Sequence, residues 1–165
     1  MPNAKKTTKV GSIAEIRECP ETGSKSLHAT VELKYGQLIS HFDPKEVLDR
    51  PNYLTVQMSE HRHIMLNPEF LQYINHSCNP NVFFDTEKRE VIALGQIENG
   101  EELTFFYPST EWSMDRGFDC LCQSEVCLKY IQGAVHLPLN VLKTYKLSQF
   151  IQQKLGIECS GTSNP

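Results

Sequence analysis

The sequence predicts an α+β fold rich in strands: several small sheets closed by a C-terminal helix. Three patterns carry this expectation. Leu27, Ala29, Val31 and Leu33 alternate with His28, Thr30, Glu32 and Lys34, the period of a half-buried strand. Residues 82–85 and 90–94 flank Thr86-Glu87-Lys88-Arg89 as the arms of a hairpin. Across 138–155, Leu139, Leu142, Leu147, Phe150, Ile151 and Leu155 give a helical pattern, with Gly156 as its stop.

The remaining elements follow in order. Residues 1–9 are polar, carry Lys5, Lys6 and Lys9, and read as a flexible arm. Residues 10–18 read as a first strand and 20–24 as a loop. Tyr35-Gly36 turns into a strand over 38–42, 43–48 reads as a short capped helix or turn, and 53–58 as a further strand. His61-Arg62-His63 has no third ligand nearby, so its histidines are expected to be exposed. Asn67 is placed as N-cap and Pro68 in the first turn of a brief helix reaching Ile74. Asn99-Gly100 turns into a strand ending on Tyr107. Residues 111–119, with Trp112 and Phe118, read as a linker, and 157–165 as a disordered tail.

At 165 residues and 39% hydrophobic content the chain makes one domain with its own core. No apolar run approaches a membrane span, and the start, Met1-Pro2-Asn3-Ala4-Lys5-Lys6, lacks the apolar stretch of a signal peptide. The expectation is an intracellular protein, nuclear or cytoplasmic. Thiols there stay reduced, so clustered cysteines read as metal ligands rather than disulfides. The net charge of -4 disfavours direct nucleic-acid binding and suits a basic partner such as a lysine-rich tail.

Three stretches carry chemistry. Tyr73-Ile74-Asn75-His76-Ser77-Cys78-Asn79-Pro80-Asn81 is far denser in polar side chains than a plain turn needs. Gly100-Glu101-Glu102-Leu103-Thr104-Phe105-Phe106-Tyr107 is a turn glycine running into a strand. Cys120-Leu121-Cys122-Gln123-Ser124-Glu125-Val126-Cys127 offers three thiols where a tetrahedral zinc takes four ligands, and Cys78 is the nearest unassigned cysteine upstream.

In this order and spacing, the three stretches resemble the SET-domain family of protein-lysine methyltransferases. The first resembles its Asn-His-Ser-Cys-x-Pro-Asn motif, the second its Gly-Glu-Glu-Leu-Thr-x-x-Tyr motif, and the third its post-SET zinc motif, Cys-x-Cys-x4-Cys. The resemblance runs over 66–133 and extends to 23–58. It implies a SET-domain fold of several small sheets with a threaded C-terminal segment that brings 75–78 beside 104–107. It divides the chain into an arm (1–9), a SET domain (10–119), a post-SET zinc motif (120–133) and a C-terminal helix and tail (134–165).

The resemblance further implies S-adenosylmethionine and one structural zinc as cofactors, and a lysine-containing protein or peptide as partner. Histone tails are the family's best-known targets, and lysines on other proteins come next. Tyr107 would be the catalytic tyrosine. Phe105 and Phe42 would line the lysine channel, with phenylalanine at 105 leaving room for di- or trimethylation. Phe105 and Tyr107, two apart on a strand, share a face, while Phe106 points into the core. Lys25, Ser26, Leu27, Tyr53, Asn75, His76 and Tyr107 would contact the cofactor. Cys78, Cys120, Cys122 and Cys127 would hold the zinc and pin the tail over the cofactor. Cys19 and Cys159 have no assigned role.

Two departures stand out. Gly23-Ser24-Lys25-Ser26-Leu27-His28-Ala29 resembles the family's glycine-rich turn but has Ser26 at its second glycine, where a Cβ hinders close backbone approach. Phe42 stands where a tyrosine is common. Both fit an alternative reading, a catalytically silent SET-like module that binds peptide or protein, and the intact Tyr107 opposes it. A third reading, a zinc-ribbon interaction domain over 120–133, has one cysteine too few. The short 43–63 insert implies an open groove whose missing walls come from substrate or partner.

Overall fold

The computed structural model describes residues 5–157. In chain order the strands are β1 (Lys6–Val10), β2 (Ala14–Glu18), β3 (Lys25–Ala29), β4 (Leu38–His41), β5 (Asp43–Leu48), β6 (Val56–Ser59), β7 (Arg62–Asn67), β8 (Asn75–His76), β9 (Val82–Asp85), β10 (Glu90–Ala93), β11 (Thr104–Phe105), β12 (Phe118–Asp119) and β13 (Tyr130–Ile131). Two short helices, α1 (Leu139–Leu142) and α2 (Gln149–Lys154), follow. The strands form three three-stranded sheets, β1-β2-β3, β4-β10-β9 and β5-β7-β6, and two pairs, β8 with β11 and β12 with β13. This is the strand-rich arrangement of small sheets that the sequence predicts.

The sheets turn their apolar faces onto one core. Leu27 and Ala29 from β3, Ile64 from β7, Phe84 from β9 and Val91 from β10 meet there with Leu71 and Leu103. A second cluster joins Phe106 to Leu142, Leu147, Phe150 and Ile151 of the C-terminal segment. The expected alternation at 27–33 holds at Leu27, Ala29 and Leu33, all fully buried, but β3 stops at Ala29 and Val31 is exposed. Leu33 instead bridges to Ile97. The hairpin at 82–94 forms, with Val91 opposite Phe84 and Ile92 opposite Phe83.

Several elements differ from expectation. The arm of 1–9 is, from Lys6 onward, strand β1, paired with β2 from Lys6↔Glu18 to Val10↔Ala14. Its polar composition suits an exposed sheet edge. Gly11, at φ 57, turns the hairpin. Residues 43–48 form strand β5 rather than a helix or turn. Pro44 is tolerated because β5 is an edge strand with a register shift between Pro44 and Glu46.

Asn67 caps no helix. It ends β7, and the following turn, Glu69–Tyr73, is a 3-10 helix without a side-chain cap. The strand expected over 53–58 begins only at Val56, because 52–55 is a turn in which Leu54 N–H donates to Asn52 Oδ1. His61 is exposed as expected, but His63 is 3% exposed, buried on the face of β7 opposite to that of Ile64 and Leu66.

The single C-terminal helix is two helices. Ser148 starts the second one, its hydroxyl accepting from Ile151 N–H as the N-cap of α2 and its own N–H donating to Ser109 O. The tail beyond Ile157 and Cys159 lie outside the described residues. Residues 111–119 are no linker. Ala134 N–H donates to Glu111 O and Val135 N–H to Trp112 O. Gly133 makes that approach possible: at φ 114, a Cβ there would lie 2.6 Å from Trp112 O.

Candidate active site and metal centre

The site is built on the two-residue parallel pair β8–β11, with Thr104 opposite Asn75 and Phe105 opposite His76. So short a ladder needs support. Asn81 supplies it: its Oδ1 accepts from Thr104 N–H at 2.8 Å, and its Nδ2 donates to Glu102 O at 2.8 Å. Ser77 N–H donates to Phe105 O at 3.0 Å. Asn75 reaches across to the first sheet, its Nδ2 donating to Lys25 O at 3.0 Å and to Glu102 Oε1 at 3.3 Å. Residues 75–77 thus lie beside 104–107, as the threading implies.

Two cavities flank this pair. One is a chamber of about 110 Å³ with apolar walls from Leu66, Leu71, Ile74, Phe84 and Phe105, bordered also by Tyr107, Glu111, Asn52, Gln72, Asp115 and Arg116. The other is a broad polar cavity of about 590 Å³ bordered by Asn75, His76, Glu102, Thr104, Asp119 and Cys122. Tyr107, Tyr53 and Phe118 border both. A further recess under Lys25, Ser26 and His28 shares Asn75 and Glu102 with the polar cavity.

Tyr107 is held tightly. Its ring centroid lies 4.7 Å from that of Phe105, 5.2 Å from that of His76 and 5.8 Å from that of Phe118. Its backbone N–H donates to His76 Nδ1 at 3.1 Å. Burial, reinforced by the nearby Glu111 charge, pushes the phenol up to about 12, so it stays protonated and can donate.

Cys78, Cys120, Cys122 and Cys127 converge, all four sulfurs within 4.8 Å of one another. Cys78 Sγ and Cys120 Sγ are 3.8 Å apart. Tetrahedral zinc with bonds of about 2.3 Å sets sulfurs about 3.8 Å apart, so this edge already has the required length. The cluster can hold a metal. Leu128 N–H donates to Cys78 Sγ at 3.3 Å, as the outer shell of a thiolate site requires. Because His76 Nδ1 accepts from Tyr107, the neutral ring carries its proton on Nε2, 3.4 Å from Cys78 Sγ. Burial pushes His76 down to about 4, which keeps the ring neutral. One imidazole therefore joins the sulfur cluster to the tyrosine backbone.

The other sequence-predicted residues are distributed unevenly. Lys25, Ser26, Asn75 and His76 border the polar spaces. Ser26 Oγ lies 2.9 Å from His28 Nε2, whose Nδ1 faces Gly100 O at 3.0 Å. Tyr53, 85% exposed on a turn, stands at the rim. Leu27 does not reach the cavity: its side chain is fully buried and its carbonyl accepts from Leu103 N–H. Phe42 does not line the channel. It packs behind Phe84, ring centroids 5.6 Å apart, and Phe84 meets Phe105 at 4.6 Å. Phe106 turns away and stacks on Tyr145 at 3.6 Å.

The sequence reading missed Phe84, Glu102, Glu111, Phe118 and Tyr145. Glu102 lies inside a motif and was visible there. Tyr145 donates to Cys78 O at 2.7 Å from a distant segment, and no local signal marks it. Glu111 is 6% exposed. Its Oε1 accepts from Gln57 N–H at 2.9 Å and from Thr110 Oγ1 at 3.1 Å. Burial nevertheless pushes the carboxyl up to about 7.

That shift fixes a sign. The unfolded carboxyl releases its proton near 4.5 and the folded one near 7. Between these values the native state holds more protons, so this group's contribution to stability falls as pH rises. Glu111→Gln removes the fall. In urea unfolding, the difference between variant and parent is expected to move in the variant's favour by roughly 3 kcal/mol from pH 4.5 to 8. A difference that stays flat across this window contradicts the buried carboxyl.

Comparison with known proteins agrees with this geometry. Residues 4–108 match the family model of the SET domain. The chain is 36% identical over 132 residues to "Methyltransferase flvH" of Aspergillus flavus, covering 79% of this chain and 74% of that protein. It is 32% identical over 92 residues to the H3 lysine-36 specific histone-lysine N-methyltransferase of Candida albicans, covering 52% of this chain and 10% of that protein. It is 43% identical over 67 residues to the H3 lysine-4 specific enzyme of Emericella nidulans, covering 36% of this chain and 6% of that protein. The chain thus spans about three quarters of the first relative and a tenth or less of the two histone enzymes. With the family match covering well over half its length, the chain belongs to the SET-domain methyltransferases.

Proposed function

We propose that the chain transfers methyl groups from S-adenosylmethionine to lysine side chains of proteins, with histone tails as the first substrates to test. The observation that carries this reading is Tyr107, standing as the common wall of an apolar chamber and a polar cavity. In-line transfer needs a donor on one side, an amine on the other, and a group between them that fixes alignment.

The donor, when bound, supplies an electrophilic methyl on a cationic sulfonium. Asn75, His76 and Glu102 would hold it in the polar cavity, with Lys25 and Ser26 extending the surface. The carboxylates of Glu102 and Asp119 suit a cationic ligand. On the other side, Leu66, Ile74, Phe84 and Phe105 form walls that strip water from a lysine stem. Desolvation lowers the amine's pKa from about 10.4, toward the neutral form that can attack. The Tyr107 hydroxyl orients the amine and presents a fixed dipole to the shifting charge.

The four cysteines serve a structural zinc on this reading, closed by four thiolates with no open position. Cys120, Leu121 and Cys122 border the polar cavity, so the metal holds the tail against the donor site. The layout is then a SET domain over 10–119, a post-SET zinc motif over 120–133 and a C-terminal brace. The reduced thiols this needs agree with an intracellular setting.

A tritiated-methyl assay on core histones and lysine peptides tests the reading. Tyr107→Phe is expected to lower kcat by about 100-fold or more while calorimetry still finds S-adenosylmethionine bound. Bound donor with no transfer by the parent to any protein lysine favours the silent module instead. A phenylalanine at 105 carries no hydroxyl to hold a water in the pocket, so Phe105→Tyr is expected to shift products toward monomethyl-lysine in mass spectra. An unchanged product distribution removes Phe105 as the determinant of methylation state.

A further inference from the structure

Glu111 is an expensive residue to place where it stands. Burying a carboxyl beside apolar walls costs stability unless hydrogen bonds or an opposite charge compensate it. Its two oxygens are used unequally. Oε1 accepts both hydrogen bonds, from Gln57 N–H and Thr110 Oγ1, which fix the side chain's direction. Oε2 has no partner among the described residues, yet it is not among the side-chain atoms fully sealed from solvent without a partner. The residue borders the apolar chamber together with Phe84, Phe105 and Tyr107. The carboxylate thus has one unengaged oxygen, and the residue that carries it borders the space in which a lysine side chain would end.

We infer that Glu111 recognises the ammonium of the entering lysine and accepts its proton, so that the amine becomes neutral inside the chamber. This rests on the methyltransferase reading above. One proton leaves the ammonium nitrogen and joins Glu111 Oε2. The electrons of that N–H bond stay on nitrogen as the lone pair that methyl transfer requires. The result is a neutral acid beside a neutral amine, which a dry chamber favours over an ion pair. The acid later returns its proton to water. The other ionisable groups bordering the chamber are Tyr107, which stays protonated, Tyr53 at the rim, Asp115 and Arg116. Glu111 differs from Asp115 and Arg116 in being buried and fixed by two hydrogen bonds.

The test uses n-butylammonium as the side-chain probe, so that no protein substrate need be known. Titration calorimetry at pH 8.5, in two buffers of different ionisation enthalpy, gives affinity and the number of protons released. The parent is expected to bind the probe with almost no proton release, because the proton stays on Glu111. It should bind n-butanol at least tenfold more weakly, and its affinity for the amine should fall as pH drops below about 7. Glu111→Gln keeps an oxygen for Gln57 and Thr110. It is expected to bind the probe at least tenfold more weakly, and to release about one proton per amine bound.

Equal affinity in parent and variant overturns the inference. So does release of a full proton by the parent, or no binding of the amine by the parent. The alcohol and proton-release measurements on the parent decide the matter even if the variant does not fold. S-adenosylmethionine titrated into the same samples separates the outcomes. A parent that binds the donor but not the amine refutes the role of Glu111 alone, whereas a parent that does not bind the donor refutes the methyltransferase reading.

Discussion

Cys78 and Cys120 are separated by 42 positions in sequence, yet their sulfurs lie 3.8 Å apart, with those of Cys122 and Cys127 close by. Much of the site depends on that closure. The strand carrying Asn75 and His76 is two residues long, as is its partner, and a ladder of that size does not hold itself. Three attachments converge on Cys78. Its sulfur lies in the cluster and accepts from Leu128 N–H, its carbonyl accepts from the Tyr145 hydroxyl, and His76 Nε2 faces its sulfur. The same imidazole receives the Tyr107 N–H. The sulfur cluster and the tyrosine between the two cavities are therefore positioned by one short chain of contacts.

The chemistry of the two cavities follows from what that tyrosine separates. On one side, apolar walls remove water from whatever enters. On the other stand the carboxylates of Glu102 and Asp119, the Asn75 amide and the His76 ring. The phenol stays protonated because its surroundings raise its pKa. Glu111 is also raised by burial, offset in part by its hydrogen bonds from Gln57 and Thr110, and a buried carboxyl raised in this way beside a cavity is a candidate for a functional role.

Motifs whose parts are local were legible in the sequence. The Asn-His-Ser-Cys stretch, the Gly-Glu-Glu-Leu-Thr stretch and the cysteine triplet each declared themselves through residue type and spacing. Cys78 was assigned by counting ligands. The walls were not legible, because a wall is a statement about packing between distant elements. Phe42 and Phe84 are both buried phenylalanines, and only the pairing of β4, β10 and β9 decides that Phe84 stands in front. Glu111 looked like part of a polar linker because its burial comes from Gln57 and from the segment around Ala134. Strand β1 was hidden by its lysines and threonines, since an exposed edge needs no apolar alternation. The C-terminal break at Ser148 was hidden by an apolar pattern that continues across it.

The central claim is that a metal at the four sulfurs holds the tail against the donor cavity. The most direct measurement is the zinc content of the purified chain by mass spectrometry of the element, paired with S-adenosylmethionine titration before and after stripping by a chelator. The account predicts one zinc per chain, loss of donor binding on stripping, and its return with added zinc. A stripped chain that binds the donor as tightly as the loaded one, or a chain that takes up no zinc at all, would contradict it.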